Sequence, residues 1–187
     1  IFVPNTDSVS YDIQLDGTGD GTFSLRVSKV ENNEVTETAY YSDISVNESS
    51  QAQVMLSTNV SNTVLEVDES GSGSFKTVSA AAVLDSEQSA DTTKPSTSIS
   101  VSGGASFAAF ELSASDDNSG ILKTEYSLDS GSTWHNYQNK VILTSLGESV
   151  VWYRSKDRAG NLENYQTETV KVYSPAVVLA PAPSARS

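Results

Sequence analysis

Cysteine is absent from the 187-residue chain. That excludes disulfide staples, thiol nucleophiles and thiolate metal sites. Basic residues are scarce: Lys and Arg total 11 against 24 Asp and Glu, a formal charge of −13. Such a polyanion repels nucleic-acid phosphates and anionic lipid surfaces, so neither is an expected partner. No apolar run approaches the roughly 18 residues of a membrane-spanning helix, so no membrane span is expected. Helical periodicity is missing as well. With 37% hydrophobic and 19% charged residues, the chain falls below the usual globular values on both counts. Ser, Thr, Asn and Gly fill the difference, as they do in β-rich modules whose turns and exposed strand faces need them. The first residue is Ile, with no secretory leader before it, so the chain reads as a processed or excised piece of a larger protein.

What is present is alternation. Val9-Ser-Tyr11-Asp-Ile13-Gln-Leu15 and Thr22-Phe23-Ser-Leu25-Arg-Val27 place apolar residues at every second position. The turn formers of Asp16 to Gly21 separate them, and the three pieces read as a β-hairpin. Further strands are expected over 35–41, 52–56, 60–67 and 74–84. Residues 86–95 carry no alternation and end in Pro95, the signature of a short linker. Alternation resumes over 97–101, 107–114, 121–128, 134–137, 140–143, 149–154 and 168–173. Strands at this spacing, punctuated by turns, predict an all-β protein of two tandem immunoglobulin-like β-sandwich domains. The expected division is a first module over 1–85, the linker over 86–95, a second module over 96–173 and a Pro/Ala-rich tail over 174–187. Ile1-Phe-Val3 and Val177-Val-Leu179 are short β-formers at the two ends. At least one of them is expected to pair as a strand with a sheet edge, in this molecule or a neighbour.

Four segments in the second half occur in a telling order: Asp91-Thr-Thr-Lys-Pro95, Asp116-Asp-Asn-Ser-Gly120-Ile121, Tyr126-Ser-Leu-Asp-Ser-Gly-Ser-Thr-Trp134 and Tyr153-Arg-Ser-Lys-Asp157-Arg-Ala-Gly-Asn161. Over residues 91–173 they resemble the bacterial immunoglobulin-like modules of surface proteins and of secreted glycosidases of the chitobiase type. The resemblance implies a sandwich that serves as spacer, adhesion module or accessory domain. In the first half, Asp16-Gly-Thr-Gly-Asp-Gly-Thr-Phe-Ser-Leu25 and Val64-Leu-Glu-Val-Asp68 resemble β modules that trail secreted hydrolases. That likeness implies an accessory role, and the chain carries no Gly-x-Ser-x-Gly nucleophile elbow.

Few residues offer chemistry. Ser127-x-Asp129-x-Gly131-x-Thr133-Trp134 matches the Asp-box of sialidases, a structural hairpin in which Asp caps the turn and Gly takes a positive φ. The single His, His135, follows it and has no evident catalytic partner in the sequence. Asp16-x-Thr18-x-Asp20-Gly21 has the front half of a Ca²⁺ loop, but Val27 stands where the loop's bidentate acid belongs. Asp91, Asp116, Asp117, Asp157 and Asn161 are the better Ca²⁺ ligands. Domain entry and two loops can meet at one pole of a sandwich, and carboxylates gathered there repel unless a cation binds them. The alternative is that each caps its own turn. Exposed rings among Trp134, Tyr137, Trp152 and Tyr153 would stack on sugars, although both Trp suit a sandwich core. The expectation is a non-catalytic structural, spacer or adhesion module, extracellular or at the cell surface. Its partners would be other domains of the same polypeptide or neighbouring subunits. The alternatives are a polysaccharide-binding accessory module of a secreted hydrolase and a self-assembling subunit of a filament or surface layer.

Overall fold

A computed structural model of the chain describes residues 12–174. The first run of elements is β1 (Asp12–Asp16), β2 (Gly21–Glu31), β3 (Glu34–Val46), β4 (Gln51–Met55), β5 (Val64–Asp68), β6 (Lys76–Val78) and β7 (Ala82–Asp85). A single-turn helix α1 (Ser86–Ser89) follows. The second run is β8 (Ser96–Gly104), β9 (Phe107–Ser115), β10 (Ile121–Ser127), β11 (His135–Asn136), β12 (Val141–Leu143), β13 (Gly147–Asp157) and β14 (Gln166–Val172). The protein is all-β. Among the described residues no helix is long and apolar enough to cross a membrane. The expected terminal strands lie outside the described residues, as does the tail beyond Ser174.

Two compact units result. One takes the residues up to Ser96 together with Ser115–Lys123 and Ser155–Glu163. The other takes Thr97–Ala114, Thr124–Arg154 and the residues from Asn164 onward. The first unit therefore includes the turns at the ends of β9 and β13.

In the first unit one sheet runs β1-β4-β5-β6 and the other β2-β3-β7. Alternation decides what each buries. Ala39, Tyr41 and Ile44 of β3 meet Ala52 and Val54 of β4 and Leu65 and Val67 of β5 in one core, with Phe23, Leu25 and Val27 of β2 against it. The Tyr41 hydroxyl donates to the Thr63 carbonyl at 2.8 Å, which satisfies a polar tip inside that core. The expected β1–β2 hairpin is not formed. Instead β1 pairs antiparallel with β4, and β2 with β3. The Asp16–Gly21 loop crosses from one sheet to the other because Ile13 and Leu15 face the same core as Phe23 and Leu25. Gly17 makes the crossing tight: its N–H donates to the Ser50 carbonyl, and a Cβ there would collide with the Asn47 carbonyl oxygen. The true hairpin is β2–β3, closed by Asn32 and Asn33 at φ 53° and 67°, the pattern of a type I′ turn. Likewise the single strand expected over 74–84 is two, β6 and β7, in different sheets.

A bulge interrupts the β2–β3 ladder. Register jumps between the pairs Phe23↔Ile44 and Leu25↔Tyr41, and Asp43 within the jump has φ 57°. The extra residue turns the Asp43 carboxylate out of the ladder. Lys123 and Lys156 then reach it at 3.1 and 3.2 Å.

The second unit has sheets β12-β9-β8 and β11-β10-β13-β14. Ala108, Phe110 and Leu112 of β9 face Val151 and Tyr153 of β13 and Val170 and Val172 of β14. The Phe110 ring meets Tyr126 edge-on, with centroids 5.4 Å apart and planes at 74°. Trp134 and Trp152 are half-buried and do not belong to this core. Strand period explains it for Trp152: Val151 and Tyr153 occupy the inner positions of β13, so the residue between them points the other way.

Candidate metal centre

Among the described residues, one trio of acidic side chains brings ligand atoms within 4.8 Å of one another: Asp91, Asp116 and Asp157. All three belong to the first unit. Asp91 lies between α1 and β8, Asp116 just after β9, and Asp157 at the end of β13. Asp85 fixes the approach to Asp91. Its carboxylate accepts from the Gln88 N–H at 2.9 Å, and its own N–H donates to Gln88 Oε1, a capping box that closes the single turn of α1. Within residues 86–95, expected as a linker, Ser86–Ser89 form this helical turn.

Each carboxylate is aimed by its own turn. Asp91 accepts from the Thr93 N–H at 2.8 Å and the Ser119 N–H at 3.1 Å. Asp116 Oδ2 accepts from the N–H groups of Asn118 and Gly120 and from the Ser119 hydroxyl. Asp157 Oδ1 accepts from the Asn161 N–H at 2.7 Å and Oδ2 from Asn161 Nδ2 at 2.8 Å. Asn161 Nδ2 also donates to the Asp91 carbonyl at 3.0 Å. The Arg158 N–H donates to the Gly120 carbonyl and the Ala159 N–H to the Ser119 hydroxyl, which joins the two turns directly. Three sequence-distant segments are knitted at this point.

One oxygen is left over. Asp116 Oδ1 is buried and accepts no hydrogen bond. A buried carboxylate oxygen without a donor is costly, and beside two further carboxylates it is more so. Burial pushes the Asp157 carboxyl above its ordinary range, the Asn161 hydrogen bonds pull it back, and the charges of Asp116 and Asp91 raise it again. Asp91 is also pushed up by burial, but hydrogen bonds from Ser119 and Thr93 outweigh that and leave it below the ordinary range.

The spacing of the three carboxylates is one that a metal ion with oxygen ligands could bridge. Two oxygens that share one ion at a Ca–O distance of about 2.4 Å stand at most about 4.8 Å apart. The three carboxylates meet that limit. Of the other residues singled out in the sequence, Asp117 is exposed and outside the trio. Asn161 stands at the centre as the donor that holds Asp157 and the Asp91 backbone together. Among the described residues the weaker pair does not converge with a third acid. Exposed Asp16 accepts from Gln51 at 3.4 Å, and Asp20 lines an open polar cleft of about 620 Å³ with Asn47, Glu48, Ser49 and Ser70. Ser119, buried to 1% exposure, is the organiser that reading for ligands passed over. Its place in the Asp116–Gly120 turn was the available signal.

Asp129 is a turn cap. It accepts from the Ser127 hydroxyl at 2.7 Å and the Thr133 N–H at 2.8 Å, and these bonds lower its carboxyl to about 2. Ser130 and Gly131 take φ 59° and 83° in the same turn. His135 is exposed, with its ring 5.4 Å from that of Tyr126.

No protein-family model matches the chain, and no curated protein or solved structure matches it.

Proposed function

We propose that the chain is a mechanical rather than catalytic segment of a larger extracellular or cell-surface protein. In this reading it consists of two immunoglobulin-like modules in tandem, and Ca²⁺ stiffens the first unit at Asp91, Asp116 and Asp157. The observation that carries the reading is the trio itself, with its one unpartnered buried oxygen. A divalent cation would supply the missing partner and cancel the mutual repulsion. It would also cross-link three segments of the first unit that are distant in sequence. Modules outside the cell meet Ca²⁺ at concentrations that suit a site with few protein ligands.

Strand order supports the immunoglobulin-like part. With β8 to β14 lettered A, B, C, C′, E, F and G, the sheets read E-B-A and C′-C-F-G. This is the Greek-key arrangement of such sandwiches, with the fourth strand beside C rather than beside E. The chemistry of the acids supports a mechanical role, since Asp68, Asp85 and Asp129 each serve their own turn. Melting curves in excess Ca²⁺ and after chelation test the proposal, together with titration calorimetry. A rise of several degrees with Ca²⁺ and a measurable heat of binding are expected. Superimposable curves without binding heat refute it.

A further inference from the structure

We infer that the outer face of β13 and β14 in the second unit is a stacking platform for a neutral sugar ring, with Tyr165 as its contact surface. The inference rests on a different unit and different residues from the cation site.

Along β13 the core takes Val151 and Tyr153, which leaves Trp152 and Arg154 on the opposite face. Tyr165, the residue before β14, stacks on Trp152 with ring centroids 4.2 Å apart and planes at 17°. Gly131 of the Asp129 turn lies against both indoles: a Cβ there would be 3.3 Å from Trp152 Cε3 and 3.6 Å from Trp134 Cζ2. The guanidinium of Arg154 sits 3.8 Å from the centre of the Trp134 ring and is held by Glu125 at 3.2 Å. Tyr165 on Trp152 and Arg154 on Trp134 thus form two stacks, with Gly131 beside both indoles. At the open end Tyr165 remains 52% exposed.

A surface ring usually binds poorly because it must first be ordered. Tyr165 is already ordered by Trp152, which is itself fixed from below, so that cost is largely met before any ligand arrives. The electron-rich face of a phenol ring attracts the polarised C–H groups on one side of a pyranose. Hydroxyl partners stand on the same face. Thr167 is directly opposite Trp152 and Thr169 directly opposite Val150, and both threonines are exposed. Val150, 46% exposed, extends the apolar strip by one side chain.

Size and charge choose among ligands. One ring and one valine fall far below the roughly 1,200 Å² that a stable protein interface buries. They match a single sugar ring. Nucleobases also stack on tyrosine, but a chain of charge −13 repels their phosphates, and it repels acidic glycans for the same reason.

Native gel electrophoresis of the full chain through hydroxyethylcellulose, glycol chitin, arabinoxylan and galactomannan tests the inference. Migration should be slowed by at least one of the four, and tryptophan emission of the wild type, but not of a Trp152→Phe variant, should shift when that polymer is added. Tyr165→Ala should weaken the retardation about tenfold, the loss of one stacking contact, with little change in melting temperature. Tyr165→Trp should retain it. No retardation in any gel, or equal retardation of Tyr165→Ala, overturns the inference. So does concentration-dependent sedimentation of the wild type that Tyr165→Ala abolishes, because the platform would then hold a protein.

Discussion

Replacing Asp116 by Asn separates a cation site from three independent turn caps. The substitution keeps one oxygen to accept from Asn118, Ser119 and Gly120, and it turns the unpartnered Oδ1 into an amide donor. It also removes one charge from a trio whose ligand atoms lie within 4.8 Å. At an effective dielectric of about 20, each pair of charges at that distance repels by roughly 3.5 kcal/mol. Asp116 takes part in two such pairs, roughly 7 kcal/mol together; solvent relaxation takes most of this and the weaker neutral caps cost about 1 kcal/mol, so a net gain of roughly 2 kcal/mol is expected without Ca²⁺. With Ca²⁺ at about a hundred times its dissociation constant, the wild type gains roughly 2.7 kcal/mol and the variant little. The order of stability therefore inverts: Asp116→Asn melts above the wild type in chelator and below it in Ca²⁺. At two to four degrees per kcal/mol for a chain of this size, both gaps are resolvable by calorimetry. If the variant is the less stable protein in chelator, and Ca²⁺ moves neither melting curve, the carboxylates are turn caps and the argument fails.

Three further outcomes follow from packing and charge. Gly160→Val should destabilise the first unit by about 2 kcal/mol in urea denaturation, because Gly160 has φ 87° and a Cβ there meets Arg26 and Tyr40 at 3.0 Å; an unchanged midpoint would show that the turn is free to move. Burial pushes the Asp43 carboxyl up, but hydrogen bonds from Ser42 and Lys123 and the charges of Lys123 and Lys156 bring it down to about 2. Its folded value lies below the ordinary one, so its stabilising effect is full above the ordinary carboxylate range and is lost as pH falls toward 2. Asp43 is partly solvated, so Asp43→Asn should cost at most about 1 kcal/mol at pH 7, and the difference from wild type should close on acidification. Phe110→Ala, at a site with 0% exposure, should cost about 3–5 kcal/mol in chemical denaturation of the second unit.

Periodicity was the readable part of the fold. It placed strands in both halves, because an alternating stretch must bury one side and wet the other. Partner choice was not readable. Ile13 and Leu15 must face a core under either pairing, and nothing local says that β4 rather than β2 lies beside them. The bulge at Asp43 was hidden for a related reason, since one extra residue leaves the local composition unchanged. In the candidate site, Asp91, Asp116 and Asp157 were legible because each stands at a strand end or a turn with a capping pattern around it. Their convergence is a property of tertiary structure, and so is the separation of Asp117 from them. The indoles illustrate the limit of residue type as a guide. Trp152 is large and apolar, yet the alternation of Val151, Trp152 and Tyr153 gave the inner positions to its neighbours. Tyr165 escaped notice because it precedes its strand, where alternation no longer assigns a face.

The turns that complete the first unit come late in the chain. Ser115–Lys123 and Ser155–Glu163 belong to a body whose other residues end at Ser96. On a ribosome, which adds roughly 5–20 residues per second, the sheets of that body can form early, but its last contacts wait until Glu163 has left the exit tunnel. Over that interval the nascent chain carries Asp91 without Asp116 and Asp157, and Asp43 without either lysine. The amino-terminal body is first to be begun, yet it is completed only shortly before the second unit, whose own core waits for Val170 and Val172.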